Sequence, residues 1–242
     1  YRGYGSGSEI FLIGRVFRQR RGARQDKRRG IAGLLRNVMR RITRRPVPGL
    51  VVAARFGDAT ARAVTDADGY FRVRLHLATP PPQGTCWHAV DLALEDTPLK
   101  AKAQVFIPPP ACRCVVISDI DDTVVKTGVG NTLLMLWRLF VEDAKSRTAF
   151  PGVAALYRCL HAGRSGVEHN PLLYVSRAPW GTYDVLDTFF RLHAIPVGPV
   201  LFLREWGVTW RSPVPRRAAT HKEDLIEHML ALYGSLPFVL IG

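Results

Sequence analysis

The chain has 242 residues and a formal net charge of +14, with 47% hydrophobic and 22% charged residues. This composition is that of folded globular proteins, which excludes a disordered or fibrous chain, and the length corresponds to one large domain or two small ones. No apolar stretch reaches about 18 uninterrupted residues, which excludes a spanning helix. Because the chain starts with Tyr1 and stops at Gly242 after an apolar run, we expect a fragment at both ends, whose lack of a signal peptide does not bear on targeting.

The four cysteines are scattered and do not have the spacing of a metal site. The pair Cys112-x-Cys114 is too close for zinc ligands, and no second Cys/His pair lies at a matching distance. Scattered cysteines of this kind are typical of free thiols in a reducing cell interior. We therefore expect a cytoplasmic protein.

Most of the net charge lies in residues 15–45, which contain 13 Lys or Arg and one acid. Apolar residues recur there at the spacing of one helix face, at Ile31, Leu34, Leu35, Val38 and Ile42. Such a helix packs its apolar stripe on its own domain, lies on an anionic membrane surface, or binds nucleic acid. The segment contains no aromatic residue between Arg18 and Arg45, which disfavours nucleic acid because base stacking needs aromatic side chains.

Residues 1–110 predict a small antiparallel β-sandwich domain with this basic insertion. Turn chemistry at residues 65–69, where Asp and Gly favour a tight turn, is followed by alternating apolar and polar residues. Residues 65–77 resemble the T-D-x-D-G-x-F signature of transthyretin-like or carboxypeptidase-regulatory-like sandwiches. Three prolines, 108–110, mark a boundary. The strand candidates are Ile10–Phe17, Leu50–Phe56, Tyr70–Leu77, Trp87–Leu94 and Ala101–Ile107.

Residues 111–242 alternate strands and helices. The strand candidates are continuous apolar runs, as in strands buried on both faces, and their alternation with helices predicts an open α/β sheet with parallel strands. The strand candidates are Cys114–Ser118, Leu172–Ser176, Pro199–Leu203 and Pro237–Ile241. The helix candidates are Leu133–Ala144, Val153–His161, Tyr183–His193 and Lys222–Leu232. In such sheets the ligand site lies beyond the carboxyl ends of the strands.

A cluster of carboxylates follows the first of these strands, at Asp119, Asp121 and Asp122, with Thr123 next. Three carboxylates in four residues repel each other without a counter-ion, and a hard divalent cation such as Mg²⁺ resolves this. Asp119 and Asp121 are two residues apart, so one can act as nucleophile and the other as general acid and base. The alternative is an acidic turn that only ends a strand.

The pattern D-x-D-x-T after a buried strand resembles motif I of the haloacid dehalogenase superfamily of phosphatases. Four further segments make the resemblance closer, and together they are similar to the catalytic domain of the actin-patch-associated phosphatidate phosphatase family. These are F-P-G-V (150–153), N-P-L-L-Y-V-S-R-A-P-W (170–180), G-P-V-L-F-L-R-E-W-G (198–207) and H-K (221–222). The resemblance covers residues 111–242 and implies a Rossmann-like parallel sheet of the haloacid dehalogenase type.

The resemblance also implies a mechanism with named residues. Asp119 attacks phosphorus and forms an aspartyl-phosphate, while Asp121 protonates the leaving alkoxide and then activates water. Thr123 holds the loop, Ser176 donates to a phosphoryl oxygen, and Lys222 stabilises the developing oxyanion. Mg²⁺ binds Asp119 and the carbonyl of Asp121. Lys222 as an exposed lysine and Ser176 as an ordinary strand-end residue are the alternatives.

The chain departs from the family pattern in two places. The fourth motif, which supplies a further metal carboxylate, starts after Gly242, so we expect weak magnesium binding by the chain as given. The residue after the motif II serine is Arg177 rather than a small or amide residue. Arg177 contacts a phosphate or points to solvent. Trp180 and Trp206 follow strand ends, where each is either a rim residue that contacts substrate or part of the core.

The segment 132–141 is apolar nearly all round and follows the catalytic loop. It is either core or a wall for acyl chains. The leading hypothesis is a magnesium-dependent phosphatidate phosphatase, cytoplasmic and peripheral at an anionic membrane that residues 15–45 contact. The alternatives are a phosphatase of a soluble phosphate ester and a non-catalytic protein that binds anionic lipid or nucleic acid.

Overall fold

The computed structural model describes residues 2–18, 45–120, 151–176, 180, 183–202 and 219–241. Two sheets form within these ranges, one of seven strands and one of four. The predicted helices of residues 31–45 and 133–144 lie outside the described residues, apart from Arg45. None of the helices in the described part of the chain is long and apolar enough to cross a membrane.

The first sheet has the strand order β4-β3-β6-β7-β1-β2-β5. All of its neighbouring strands are antiparallel except β1 and β7, which are parallel. The strands are β1 (Arg2–Gly5), β2 (Glu9–Arg15), β3 (Val51–Phe56), β4 (Ala59–Val64), β5 (Tyr70–His76), β6 (Trp87–Leu94) and β7 (Lys100–Phe106). The turn predicted before β5 is present, since the Asp66 side chain accepts hydrogen bonds from the backbone N–H groups of Asp68 and Tyr70.

The predicted antiparallel β-sandwich is only partly right, because the strands form one curled sheet with a parallel pair. Strand β1 pairs with both β7 and β2 and so joins the two halves of the sheet. The two ends of the strand order, β4 and β5, lie against each other. Strands β1 and β4 were not predicted from the sequence. In β1, Gly3 and Gly5 have low strand propensity. A Cβ at Gly3 would collide with the Phe11 carbonyl oxygen, so close packing of β2 requires glycine there.

Strand β2 is buried on both faces. Ile10 and Leu12 belong to a hydrophobic cluster inside the curled sheet, with residues such as Val73 and Val105. Phe11 and Ile13 point to the other face and join a second cluster that includes most of the buried residues of the four-stranded sheet. Because successive side chains of a strand alternate between faces, one continuous apolar run packs against both cores.

The second sheet has the order β10-β9-β8-β11, and all its neighbouring strands are parallel. The strands are β8 (Val115–Asp119), β9 (Leu172–Ser176), β10 (Val200–Phe202) and β11 (Phe238–Ile241). The helices are α1 (Pro151–Ala162), α2 (Tyr183–Leu192) and α3 (Ala219–Leu232). This agrees with the predicted α/β class. The haloacid dehalogenase type and the division at residue 110 stay predictions.

The amino-terminal edge of the parallel sheet is fixed by a buried amide. Asn170 Oδ1 accepts hydrogen bonds from the backbone N–H groups of Arg113 and Cys114, at 2.8 and 3.1 Å. Asn170 Nδ2 donates to the Leu160 carbonyl and to the Glu168 carboxylate, at 2.9 and 3.0 Å. The chain before β8, the end of α1 and the start of β9 are thereby joined at one side chain.

All four cysteines are free thiols, as the sequence predicts. Cys112 is buried, and burial raises its pKa to about 11. Its thiol therefore stays protonated, and Sγ donates to the Cys114 carbonyl oxygen at 3.4 Å.

The stability of the fold should fall as the pH falls below neutral, partly because of His161. Its Nδ1–H donates to the Asn170 carbonyl at 2.7 Å, and burial lowers its pKa below the ordinary 6.5. The unfolded chain therefore takes up a proton at a higher pH than the folded chain does. Stability is full above about pH 6.5 and is lost as the pH falls through and below that value.

The measurement is the thermal unfolding midpoint at pH 7.5 and pH 5.5 for the wild type and for His161→Asn, which keeps a donor near the Nδ1 position. We expect a smaller loss between the two pH values in the variant. His88, whose pKa burial also lowers, is unchanged in both proteins and contributes equally. Equal losses in the two proteins would show that His161 does not contribute.

Candidate active site

The first element of the site is the carboxyl end of β8. Val115 and Val116 are fully buried, and Ser118 and Ile120 are 1% and 2% exposed. Asp119 lies between these two buried residues and is partly exposed. Buried neighbours on both sides hold the backbone in place, so a carboxylate is presented from a rigid part of the fold.

The second element is the end of β9. In the parallel register, Asp119 lies opposite Val175, one residue before Ser176. Ser176 is the last residue of β9 and is 1% exposed. The structure therefore brings Asp119 and Ser176, two of the predicted catalytic residues, to neighbouring strand ends. The strand order also reverses at β8, with β9 on one side and β11 on the other, and ligands of open α/β sheets bind at such a point.

A buried pair of hydroxyls fixes the end of β8 to helix α1. Tyr157, fully buried, lies with its hydroxyl 2.5 Å from Ser118 Oγ. Ser118 Oγ donates to the Asp119 carbonyl oxygen at 3.4 Å, so the Tyr157 hydroxyl is the donor to Ser118. Burial raises the pKa of Tyr157, which keeps that proton in place. The backbone of Asp119 is thereby connected to α1 through two side chains.

Lys222 lies in the first turn of α3, which has no acidic residue in that turn. A cation at a helix N-terminus is disfavoured by the helix dipole, by about 0.3–1 kcal/mol. Helix stability therefore does not account for the position of Lys222. The predicted role of Lys222 toward a phosphoryl group stays a prediction.

The other predicted site residues have different outcomes. Asp121, Thr123, Arg177 and Trp206 and the apolar segment 132–141 lie outside the described residues. Trp180 is 3% exposed, and its ring contacts the rings of Tyr70 and Phe202 at centroid distances of 5.9 and 5.1 Å. This position corresponds to the core alternative for Trp180, and its contact with substrate stays a prediction.

Of the two predicted metal ligands, Asp119 and Asp121, only Asp119 lies in the described ranges. Within those ranges, no group of three or more His, Cys, Asp or Glu side chains could hold a metal ion. The partly exposed carboxylate of Asp119 is an oxygen donor of the kind that hard divalent cations take.

Ser118 and Tyr157 were not among the residues predicted from the sequence. The available signal was a hydroxyl residue, Ser118, inside an otherwise apolar buried strand, since a buried hydroxyl needs a hydrogen-bond partner. Its partner is 39 positions away in the sequence, and nothing local indicates which residue that is.

Comparison with known proteins identifies a family for the second half of the chain. The model of the family "Phosphatidate phosphatase APP1, catalytic domain" matches residues 114–242, which is more than half of the chain. Phosphatidate phosphatase APP1 of Saccharomyces cerevisiae is 31% identical over 128 residues, which are 52% of this chain and 21% of that protein. The chain thus spans about a fifth of the length of that relative.

Among solved structures, a carbohydrate acetylesterase from Xanthomonas citri aligns with 98% of this chain and 66% of its own, at 8% identity and a TM-score of 0.28. That similarity is too low to carry an argument about fold or function. The family match rests instead on the segment that contains β8 to β11 and Asp119, Ser176 and Lys222. On this match the chain belongs to the family of the phosphatidate phosphatase APP1 catalytic domain.

Proposed function

We propose that this chain is a magnesium-dependent phosphatidate phosphatase, which hydrolyses a lipid phosphate monoester through an aspartyl-phosphate on Asp119. The observation that carries the proposal is the position of Asp119 and Ser176 at neighbouring carboxyl ends of parallel strands, within the segment that matches the family model. The relative with this domain is named a phosphatidate phosphatase.

The proposed reaction has two steps on the same loop. An Asp119 carboxylate oxygen attacks phosphorus, and the bond from phosphorus to the lipid oxygen breaks while Asp121 gives that oxygen a proton. Water then attacks the phosphoryl group, Asp121 takes a proton from it, and inorganic phosphate leaves with Asp119 regenerated. Ser176 and Lys222 stabilise the charge that develops on the phosphoryl oxygens, and Thr123 positions Asp121.

Asp119, the predicted metal ligand that the structure describes, fits a magnesium ion. Asp119 and the carbonyl of Asp121 would hold the ion, and the partly exposed carboxylate of Asp119 is a suitable oxygen ligand. When bound, a divalent cation neutralises charge between the carboxylates and the substrate phosphate. Arg177 and Trp180 remain proposed substrate contacts.

The basic segment 15–45 is proposed to hold the enzyme at an anionic membrane surface. Its ends form a closed neck, since Arg18 N–H donates to the Arg45 carbonyl at 3.0 Å and Phe17 forms an isolated β-bridge with Pro46. Residues 19–44, between these ends, contain ten Lys or Arg and one Asp. Such a charge density favours anionic lipid by about 1 kcal/mol for each basic residue near the surface.

A series of ring contacts connects the neck to the strand ends of the site. The Arg15 guanidinium lies over the rings of Phe17 and Tyr70, at 4.9 and 4.7 Å. Tyr70 contacts Trp180, which follows the end of β9 and contacts Phe202, the last residue of β10. A membrane bound by the basic segment would therefore lie near the site, in keeping with a cytoplasmic enzyme that is peripheral at the membrane.

The first prediction concerns the nucleophile. Phosphate release from phosphatidate in mixed micelles should require Mg²⁺ and should fall about a thousandfold in Asp119→Asn, because the amide cannot attack phosphorus. The measurement uses a chain extended beyond Gly242, with and without Mg²⁺. Turnover of p-nitrophenyl phosphate without release from phosphatidate would favour a soluble substrate. No phosphate release from either phosphatidate or p-nitrophenyl phosphate would favour a non-catalytic lipid-binding protein.

The second prediction concerns the hydroxyl pair behind Asp119. Tyr157→Phe removes the donor to Ser118 and should cost about 1 kcal/mol of stability. It should also lower kcat about three- to tenfold through a looser strand end. The matched control is Tyr174→Phe, which removes a buried hydroxyl that donates to the Pro196 carbonyl at 2.8 Å. We expect the control to lose stability and to keep its kcat. Equal loss of kcat in both variants would contradict a special role for Tyr157.

The third prediction concerns the basic segment. Replacing Arg36, Arg40, Arg41 and Arg44 by Gln should weaken co-sedimentation with phosphatidylserine vesicles by roughly 100-fold or more. The matched control replaces four basic residues of the curled sheet by Gln, which are Arg55, Arg62, Lys100 and Lys102. Three of them already pair with acids, so we expect a small effect. Equal weakening by both sets would show that only the net charge of the chain matters.

A further inference from the structure

Helix α3, which carries Lys222, is held by side chains of the curled sheet. The Tyr4 hydroxyl lies 2.8 Å from His228 Nδ1, and Glu9 Oε1 lies 3.0 Å from His228 Nε2. One turn further along the chain, the Tyr233 hydroxyl donates to the Gly5 carbonyl at 2.9 Å. Strands β1 and β2 thus contact α3 and the turn that follows it through hydrogen bonds.

The acceptor-only carboxylate of Glu9 fixes the direction of one of these hydrogen bonds, since His228 Nε2 must carry a ring hydrogen and donate to it. Tyr4 is fully buried, and burial raises its pKa far above the ordinary value of 10.0. The phenol therefore keeps its proton, and in the neutral ring His228 Nδ1 is the acceptor for it. The side chains of His228 and Glu9 are 13% and 19% exposed. We call Tyr4, Glu9 and His228 the clamp.

Apolar contacts surround the clamp and make it rigid. The Phe11 ring lies 4.6 Å from the His228 ring, and the Tyr4 ring lies 5.2 Å from Phe11 and 6.3 Å from Tyr233, measured between centroids. Met229, next to His228, is fully buried in the same cluster. A hydrogen bond that is shielded from water in this way costs more to break than an exposed one.

We infer that the curled sheet positions Lys222 for catalysis through the clamp. Lys222 precedes His228 by six residues on one helix, a distance of about 9 Å along the axis at 1.5 Å per residue. A helix of this length moves as a unit, so fixing His228 fixes the first turn relative to Asp119. The inference rests on the proposed function, since it takes Lys222 to stabilise the phosphoryl oxygens. It makes Tyr4, Glu9 and His228 positioning residues.

The test measures the first turn of α3 directly and the catalytic rate separately. Backbone hydrogen exchange of residues 219–225 is compared in the full chain for the wild type, Tyr4→Phe, Glu9→Ala and Glu9→Gln. We expect about tenfold faster exchange in Tyr4→Phe and Glu9→Ala, since each loses one partly buried hydrogen bond to His228. Glu9→Gln keeps an acceptor for His228 Nε2–H and should restore protection.

The matched control is Tyr183→Phe. Tyr183 lies on α2 and accepts a hydrogen bond from Arg2 at 3.3 Å, so the control weakens the same interface without touching α3. We expect its exchange in residues 219–225 to equal that of the wild type. In the kinetic assay, Tyr4→Phe and Glu9→Ala should lower kcat about tenfold with KM unchanged.

The outcomes separate this inference from the proposed function. Faster exchange in residues 219–225 together with a lower kcat supports the inference. Unchanged exchange in that turn overturns it, and so does faster exchange with an unchanged kcat. An absence of Asp119-dependent phosphate release in the wild type is instead the failure of the proposed function. In that case the hydrogen-exchange data still show whether the clamp holds α3.

Discussion

The burial of β2 on both faces is the constraint on which the arrangement of the two sheets depends. Its even positions, Ile10 and Leu12, close the core of the curled sheet, while Phe11 and Ile13 lie in the core that contains β8 and β9. A strand with one solvated face tolerates polar residues at every second position, but this strand cannot. The two sheets therefore share packing, and a change in β2 acts on both.

The parallel sheet determines where chemistry is possible. Parallel strands place all of their carboxyl ends at one edge of the sheet. Residues far apart in sequence, such as Asp119 and Ser176, therefore become neighbours. The amino-terminal edge is instead stabilised by the hydrogen bonds of Asn170. The hydrogen bonds of Asn170 and the proposed site thus lie at opposite edges of the same sheet.

Much of this architecture could be predicted from the sequence because the signals were local. Apolar runs predicted β8, β9 and β11 to within about one residue, and the turn predicted at residues 65–69 is present, closed by hydrogen bonds to the Asp66 side chain. Strand β1 could not be predicted, because its two glycines are required by close contact with β2, and that contact is not local. The curled sheet could not be predicted for the same reason, since β1 joins its two halves. Ser118 needed a partner, but Tyr157 is not identifiable from the sequence.

The proposed site has to attract a phosphate to a place that carries three carboxylates. Asp119, Asp121 and Asp122 repel an anionic substrate, so positive charge is needed both at short and at long range. In the proposed mechanism a cation and Lys222 would act at short range on the phosphoryl group itself, where a low dielectric makes each charge effective. At longer range the basic segment would act on the membrane, and its effect is screened beyond about 8–10 Å at physiological salt.

These two sources of positive charge therefore control different quantities. Under the proposed function, the basic segment would contribute equally to bound substrate and to the transition state, because it would contact the membrane surface and not the reacting atoms, so it would affect apparent affinity and its salt dependence. Lys222 would interact with charge that appears only during the reaction, so its position would affect kcat. Under the proposed function the curled sheet would serve both purposes, since the neck of the basic segment follows β2 and the contacts to α3 come from Tyr4 of β1 and Glu9 of β2.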